Sequence, residues 1–448
     1  MSIALVILAA GKGTRMQSDL PKVLHEIAGA PMLVHTMVAG QSLDPERCII
    51  IAGHGADSVR DVVQNHNSDA EFILQTEQLG TGHAVDQARD TLAGFIGNVI
   101  VLYGDSPLIQ AATLKTLNAS LSHSAVTVLG FEAKDPGRYG RLITNDDDLK
   151  RIVEFKDASD AEKSMNLCNS GVMAVAAPLL FELLSEIDNE NASGEYYLTD
   201  IVAKAVAHGA VCKVVRCTES ETLGVNSRVD LAQVEYEFQS QRRAEALKNG
   251  VTMPAPETVY FSFDTYIGRD AIVEQNVVFG PGVTVESGAR IRAFSHLEGA
   301  HVSRGCVVGP YARLRPGAEL AEDVKIGNFV EIKASLLAEG AKVNHLSYIG
   351  DATIGARANI GAGTVTCNYD GVVKHHTSIG EDAFIGSNTM LVAPVSVGQE
   401  AMTASGSVIV RDVPAGDLAI GRAKQENKTW LAVKLMKKLR AIKDAKKG

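Results

Sequence analysis

Ile267-Gly-Arg-Asp-Ala-Ile-Val273-Glu-Gln-Asn-Val-Val-Phe279-Gly-Pro-Gly-Val-Thr-Val285-Glu-Ser-Gly-Ala-Arg-Ile291-Arg-Ala-Phe-Ser-His-Leu297 decides the fold of half this chain. An apolar residue returns every six positions, at Ile267, Val273, Phe279, Val285, Ile291 and Leu297. A run of hairpins would instead alternate every two residues and turn on residue pairs. The six-residue period resumes at Val308, Leu314, Leu320, Ile326 and Ile332, and again at Ile379, Ile385, Leu391 and Val397. Small residues commonly follow, as at Gly268, Gly280, Gly327, Gly380, Gly386 and Gly398. Three two-residue strands joined by tight turns make one triangular coil, and every sixth side chain then stacks in one interior column. The expected fold of this half is a left-handed parallel β-helix of hexapeptide repeats.

Working outward, the register breaks at Thr366-Cys-Asn-Tyr-Asp-Gly-Val-Val-Lys-His-His376. A coil accepts an insertion only as an external loop, and such loops commonly carry function. Past the last repeats, residues 429–447 place Trp430, Val433, Met436 and Ile442 at helical spacing among lysines. This segment reads as a capping or trimer-contact helix in preference to a nucleic-acid or membrane-surface patch. Upstream, Leu231, Val234 and Phe238 mark an amphipathic linker helix over 227–250, ended by Met253-Pro-Ala-Pro256.

The first half follows a different pattern. Continuous apolar runs such as Ile3–Leu8, Cys48–Ala52 and Val99–Tyr103 alternate with helix-like stretches. That is the pattern of an α/β, Rossmann-like, mostly parallel sheet covered on both faces. The expected domains are 1–226, the linker helix 227–250, and 251–448.

Net charge is −10, but from Arg422 onward ten Lys/Arg face two Asp/Glu, a local +8 that leaves −18 for the rest. An acidic bulk argues against a chain-wide nucleic-acid surface. No run of about 18 apolar residues occurs, so no membrane span is expected. The apolar start from Met1 to Ala10 has no basic leader and reads as a strand, not a signal peptide. Cysteines 48, 168, 212, 217, 306 and 367 include no C-x-x-C pair, which suits reduced thiols in the cytoplasm.

Two constellations carry chemistry. The first strand runs into Ala10-Gly-Lys-Gly-Thr-Arg-Met16, where Gly11 and Gly13 let backbone N–H groups face an anion. Lys12, Arg15 and, beyond Pro21, Lys22 add positive charge. The spacing fits neither a Walker loop nor a dinucleotide fingerprint. Asp105 is expected to end a strand at the carboxyl edge of the sheet, where open α/β folds bind ligands, and a hard carboxylate there suits Mg²⁺. The second constellation is His345 in Ala341-Lys-Val-Asn-His-Leu-Ser-Tyr348, with Arg315 and Lys333 in neighbouring coils. Cationic and polar side chains there can build an anion pocket.

Leu8-Ala-Ala-Gly-Lys-Gly-Thr-Arg-Met16 with Pro21-Lys22 resembles the signature of sugar-1-phosphate nucleotidyltransferases. Later motifs follow in order: Gln75-x-x-Gln-Leu-Gly-Thr-Gly-His-Ala84, Tyr103-Gly-Asp105, Tyr139-Gly-Arg141, Glu154-x-Lys-Asp157, Asn169 and Gly224-Val-Asn226. With the hexapeptide half, the chain resembles the family of bifunctional N-acetylglucosamine-1-phosphate uridylyltransferase/glucosamine-1-phosphate N-acetyltransferases. The resemblance runs from Ile3 to about Arg422.

The resemblance implies that glucosamine 1-phosphate is acetylated from acetyl-CoA, and that N-acetylglucosamine 1-phosphate then displaces pyrophosphate from UTP. The product, UDP-N-acetylglucosamine, is a precursor for peptidoglycan and lipopolysaccharide. Such phosphoryl chemistry rests on alignment and charge neutralisation. By resemblance, Arg15 and Lys22 hold phosphates, and Asp105 and Asn226 ligate Mg²⁺. Leu8, Ala9, Ala10 and Gly11 line the nucleotide, Gln75, Gly80 and Thr81 meet the uracil, and Gly140, Glu154 and Asn169 meet the sugar. His345 would act as the base for the acceptor amine, because a neutral imidazole can take its proton during attack on the thioester. Arg315, Lys333, Tyr348 and Asn359 match acceptor positions, and Ala362, Ser387, Ser405 and Arg422 match acetyl-CoA positions. Asn368 and Tyr369, in the loop, are matched to both. Phe155 and Ser170 depart from the commoner His and Thr, and Ser405 from an Ala in some relatives. A homotrimer with sites between prisms is also implied.

A single-activity nucleotidyltransferase with a regulatory or scaffolding β-helix is the competing reading. Scaffold proteins of this architecture should lack Asp105, Arg15 or the Gly11–Gly13 turn, and regulatory ones His345 and the Asn368–Tyr369 loop; all are present.

Overall fold

A computed structural model describes residues 2–146 and 148–446. Met1, which heads the expected first strand, and Lys447 and Gly448, which end the expected last helix and third domain, lie outside the described residues, as does Asp147. The chain forms two compact units, Met1–Glu245 with Phe261–Phe263, and Ala246–Tyr260 with Asp264–Gly448.

The first unit is built on nine strands: β1 Ser2–Ala9, β2 Arg47–Ala52, β3 Glu71–Leu74, β4 Gly97–Tyr103, β5 Val126–Glu132, β6 Arg141–Asn145, β7 Asp148–Val153, β8 Leu167–Ala176 and β9 Cys212–Cys217. Their order is β3-β2-β1-β4-β8-β5-β9-β7-β6. β3, β2, β1 and β4 are all parallel, whereas β8 runs antiparallel to both its neighbours. Along β1, Ala4, Val6 and Leu8 join one core while Ile3, Leu5 and Ile7 join another. Both faces of the sheet are therefore covered, and the continuous apolar runs follow from that. The carboxyl ends of β1, β3 and β4 open on one edge, which positions the first site.

The helix Arg228–Lys248 buries Val234 and Phe238 against Met16, Ile27 and Met32, with Leu231 partly buried beside them. Its Gln239 amide bonds both ways with Phe261, donating to the carbonyl at 2.7 Å and accepting from the N–H at 2.9 Å. Those two bonds explain why Phe261–Phe263 pack with the first unit although the chain has already left it.

The second unit is the prism. Its short strands each pair in parallel with the strand one coil later, in the register Val273↔Ile291, Ile291↔Val308, Val308↔Ile326, Ile326↔Val343, Val343↔Ile360 and Ile360↔Ile385. All seven residues of this column are buried. Between the six-residue steps the structure inserts five-residue ones, at Leu297 to Val302, Ile332 to Leu337, and Ile349 to Ile354, where one corner is a residue shorter and the interior column stays in line. The loop expected at 366–376 leaves the wall between strands Val365–Cys367 and Thr377–Ile379, and it closes on a Tyr369–Lys374 bridge.

The last helix, Leu431–Ala445, forms where helical spacing places it. Every described residue from Gly421 onward is exposed, so this helix does not cap its own prism. That corrects the capping half of the expectation: its leucines stay exposed among the described residues of the chain. Among the described residues, no helix is long and apolar enough to cross a membrane.

Candidate functional sites

The first site is a cleft of about 350 Å³ lined by Leu8, Ala9, Ala10, Gly11, Lys22, Gln75, Gly80, Thr81 and Asp105, together with Val23, Gln78, Ala84, Tyr103 and Glu195. The end of β1 supplies Leu8 and Ala9, and the turn that follows it supplies Ala10 and Gly11. Gly13 has φ +58° and a Cβ there would lie 2.7 Å from Lys22 Cβ, so only glycine lets the turn close over the lysine stem. Gly80 has φ +118°, and a Cβ would meet the Tyr196 carbonyl at 2.5 Å. The 79–82 turn is latched there by Gly82 N–H to Tyr196 O and Leu198 N–H to Thr81 Oγ1.

Lys22 Nζ donates to Asp105 Oδ2 in a close ion pair and to Asn226 Oδ1 at 3.2 Å. Asn226 is brought there by Val225 N–H to Asp105 O at 3.0 Å and by its own N–H to Asp230 Oδ2 at 3.0 Å. Two hard oxygen donors, far apart in sequence, thus converge on one cation. Here the lysine ammonium stands where a divalent ion with phosphate oxygens would fit.

Tyr103 connects the cleft to the residues expected at a sugar. It is partly buried, bonded to Thr81, and close to Glu154 and Asp105; desolvation first, then those two carboxylates, push its hydroxyl well above the usual tyrosine range. Glu154 accepts from Thr199 Oγ1 at 3.2 Å, and burial raises its carboxyl above the ordinary value. Asn169 N–H donates to Gly140 O at 2.8 Å, and a Cβ on Gly140 would sit 3.4 Å from the Glu154 carboxylate. Gly140, Glu154 and Asn169 therefore form one cluster that does not itself line the cleft. Arg15 is exposed on the turn Thr14–Met16 and lies outside the lining.

Sequence reading assigned no role to Gln78, Tyr103, Glu195 or Thr199. Gln78 and Tyr103 stood inside quoted motifs; Gln78 donates to Ala10 O at 3.1 Å, tying the segment before Gly80 to the glycine turn. Nothing local marks Glu195 or Thr199, which only the return of the chain brings near.

The second site lies on the outside of the prism. His345 is exposed, and its Nδ1 is 2.9 Å from Asn328 Oδ1. The two are register partners on successive coils. An amide oxygen only accepts, so in this contact Nδ1 is the donor. Asn328 was not singled out in the sequence, although it stands one coil before His345.

His345 heads a column. Gly363 N–H donates to His345 O, Asn388 N–H to Ala362 O, and Gly406 N–H to Ser387 O, each one coil further. Ser405 is next to Gly406, and Arg422 Cδ lies 3.9 Å from the Cβ position of Gly406. At about 4.8 Å per coil, His345 to Arg422 spans roughly 19 Å of one corner.

On the adjoining wall, Arg315 donates to Glu331 at 2.9 Å. The ammonium of Lys333 is pulled below its ordinary value, first by Lys374 beside it and more weakly by Arg315, with Asp351 opposing. Asn368 donates to Asp351 in a short hydrogen bond and lies 3.5 Å from the Tyr348 hydroxyl. Tyr369 is exposed and spends its hydroxyl on Gly371 O at 2.6 Å. Asn359 stands on the wall strand that pairs with Lys342 and Phe384. Lys374, in the register-breaking loop, was not expected at the site. It crowds a third cation onto Arg315 and Lys333, an arrangement that an anion would relieve.

Comparison with known proteins matches both halves. Residues 5–204 match the family described as MobA-like NTP transferase domain, and residues 376–411 match the hexapeptide repeat of succinyl-transferase. Over 446 residues the chain is 64% identical to a protein of Ruegeria sp. (strain TM1040) named bifunctional protein GlmU, covering 100% of this chain and 99% of that one. Proteins of the same name from Jannaschia sp. (strain CCS1) and Cereibacter sphaeroides (strain ATCC 17025 / ATH 2.4.3) are 60% and 62% identical, each covering at least 99% of this chain and 98% of their own.

Proposed function

Because this chain belongs to the family of bifunctional GlmU proteins, we infer that it makes UDP-N-acetylglucosamine with two active sites. Acetyl-CoA acetylates the amine of glucosamine 1-phosphate, and N-acetylglucosamine 1-phosphate then attacks the α-phosphate of UTP and releases pyrophosphate. The product serves cell-wall synthesis. The observation that carries this reading is the presence, in one chain, of both constellations intact: Lys22 between Asp105 and Asn226, and Asn328-held His345 at the head of its column.

Residues 1–226 are assigned to uridylyl transfer, 227–250 to the linker helix, and 251–448 to acetyl transfer. In the first site, the N–H groups of the Ala10–Gly11 turn and Lys22 hold the phosphates, with Arg15 reaching in from the turn beside them. Gln75, Gly80 and Thr81 take the uracil, and Gly140, Glu154 and Asn169 take the sugar. Asp105 and Asn226 suit magnesium, which when bound would neutralise charge on the phosphates. Lys22 leaves its ion pair with Asp105 when a triphosphate arrives. Alignment of the attacking oxygen falls to the pocket that fixes the sugar.

In the second site, Arg315, Lys333 and Lys374 hold the phosphate of glucosamine 1-phosphate, with Tyr348, Asn359, Asn368 and Tyr369 around the sugar. His345 Nε2 takes the proton of the 2-amine as the nitrogen attacks the thioester carbon. The electron pair of the breaking C–S bond leaves with coenzyme A. Ala362, Ser387, Ser405 and Arg422 run down the corner below His345 and suit the extended arm of acetyl-CoA.

We place this chemistry in the cytoplasm, supported by six unpaired thiols. A homotrimer is supported by an exposed stripe beside His345. Phe294 and Tyr311 stack at 4.9 Å, Tyr311 and Phe329 at 5.3 Å, and Leu346 continues the line. All four have left-handed φ, from +52° to +61°, a cost that bulky residues bear where a surface has a use.

The test is direct. Purified protein given glucosamine 1-phosphate, acetyl-CoA, UTP and Mg²⁺ is expected to yield UDP-N-acetylglucosamine by mass, and to run as a trimer in light scattering. Acetylation without uridylylation, the reverse, or full acetylation by a monomer would contradict the corresponding part. A finer expectation concerns Lys374→Ala. Removing one charge-assisted contact to a phosphate raises KM for glucosamine 1-phosphate about tenfold. KM for acetyl-CoA stays near wild type; an unchanged glucosamine 1-phosphate KM removes Lys374 from the pocket.

A further inference from the structure

Gln75 follows β3, and its backbone N–H donates to Ala52 O at 2.7 Å, which fixes the main chain at that point. Its side chain lines the cleft, and the residue is only 4% exposed. A half-turn about the last side-chain bond would exchange the oxygen and the nitrogen of its amide, so either could be offered to a ligand. The neighbours make the choice. Gln75 Nε2 lies 3.4 Å from Gly80 O and 3.0 Å from His83 Nδ1, on the helix Thr81–Asp86. A carbonyl oxygen only accepts, so the atom facing Gly80 is the amide nitrogen, and in the second contact His83 Nδ1 is the acceptor. The bond to Gly80 is long, so the closer one to His83 does most to fix the amide. The ring is itself held, because Gln87 lies 3.2 Å from its Nε2. Both amide hydrogens of Gln75 are thereby engaged within the protein. Among the described residues Oε1 meets no donor, and it is the polar atom of this side chain left to the cleft.

Building on the placement of Gln75 at the uracil, we propose that His83 is a positioning residue that acts through Gln75 to select a pyrimidine with a hydrogen on N3. Uracil has that hydrogen and donates it to Oε1. Cytosine has a lone pair on N3, which would face the lone pairs of the same oxygen. One atom therefore favours UTP and opposes CTP. Discrimination of this kind holds only while the protein group cannot adapt to the wrong ligand. Without an acceptor at His83 Nδ1, the amide is free to turn and to offer its nitrogen to cytosine.

The full-length protein is assayed with UTP and with CTP, each with N-acetylglucosamine 1-phosphate and Mg²⁺, and the ratio of the two kcat/KM values is read. His83→Ala is expected to lower the UTP-to-CTP ratio about tenfold, the size of one hydrogen bond, with KM for N-acetylglucosamine 1-phosphate near wild type. His83→Asn, whose Oδ1 can replace Nδ1 as the acceptor, is expected to keep the ratio near wild type. In a Gln75→Ala background, His83→Ala is expected to change the ratio no further, because the two act as one unit. A ratio that falls in Gln75→Ala and is unchanged in His83→Ala overturns the role of His83 and spares the uracil placement. A ratio that neither substitution moves overturns the placement, and the role of His83 with it. A loss that His83→Asn does not restore, or that recurs in full in the Gln75→Ala background, makes the ring a packing element and overturns the proposal.

Discussion

Asp105→Asn is expected to lower uridylyl transfer by roughly 10²–10³, the usual cost of removing one group that stabilises transition-state charge. The substitution keeps the shape and removes one negative charge. That charge pairs with Lys22 and, with Asn226 Oδ1, makes the only pair of hard oxygens seen to converge on a cation among the described residues of this cleft. The carboxamide can still accept from Lys22, so the fold of the turn should persist. The proposed acetyl site belongs to the other unit and shares no residue with this one, so acetyl transfer is expected to stay within about twofold of wild type by the additivity of sites without shared partners. The two rates are read separately, as pyrophosphate release and as free thiol. Uridylyl transfer within a few-fold of wild type would remove Asp105 from the site. Equal loss of both rates in a folded protein would refute the assignment of two sites.

His345→Ala is expected to show the mirror image. Loss of a general base costs about 10²–10⁴ in rate. His345 is exposed, so its removal leaves no cavity, and the prism should be as stable as before. Its hydrogen-bond partner Asn328 is left facing water at no great cost. Acetyl transfer should fall at all substrate concentrations, because a base that acts on the amine changes kcat more than either KM. Pyrophosphate release from UTP and N-acetylglucosamine 1-phosphate should be unchanged. Acetylation that persists near wild type would remove His345 from the role of base.

The contrast between these two sites shows what a linear reading can reach. Asp105 and His345 were legible because each sits in a short run whose neighbours constrain it: a strand end in one case, a six-residue step in the other. Asn328 and Lys374 were not. Asn328 is one coil away from His345, a distance that has meaning only once coils are known to be in register. Lys374 lies in a loop whose path no periodicity fixes, and the Tyr369–Lys374 bridge that turns it back toward Lys333 is a tertiary outcome. Arg15 shows the opposite case, a residue plain in the motif that the fold leaves exposed beside the cleft.

The sequence by itself determined the two architectures, because a period of six stacks an interior column and continuous apolar runs demand a sheet covered on both faces. It also determined that the segment Leu431–Ala445 is helical and basic. Only the tertiary structure decided that Lys22, Asp105 and Asn226 meet at one point, that Asn328 holds the ring of His345, and that the last helix leaves its leucines exposed among the described residues of its own chain. The physical reason is common to all three. Periodicity is a local property of the chain, whereas convergence depends on which distant backbone segments share hydrogen bonds, as Val225 does with Asp105.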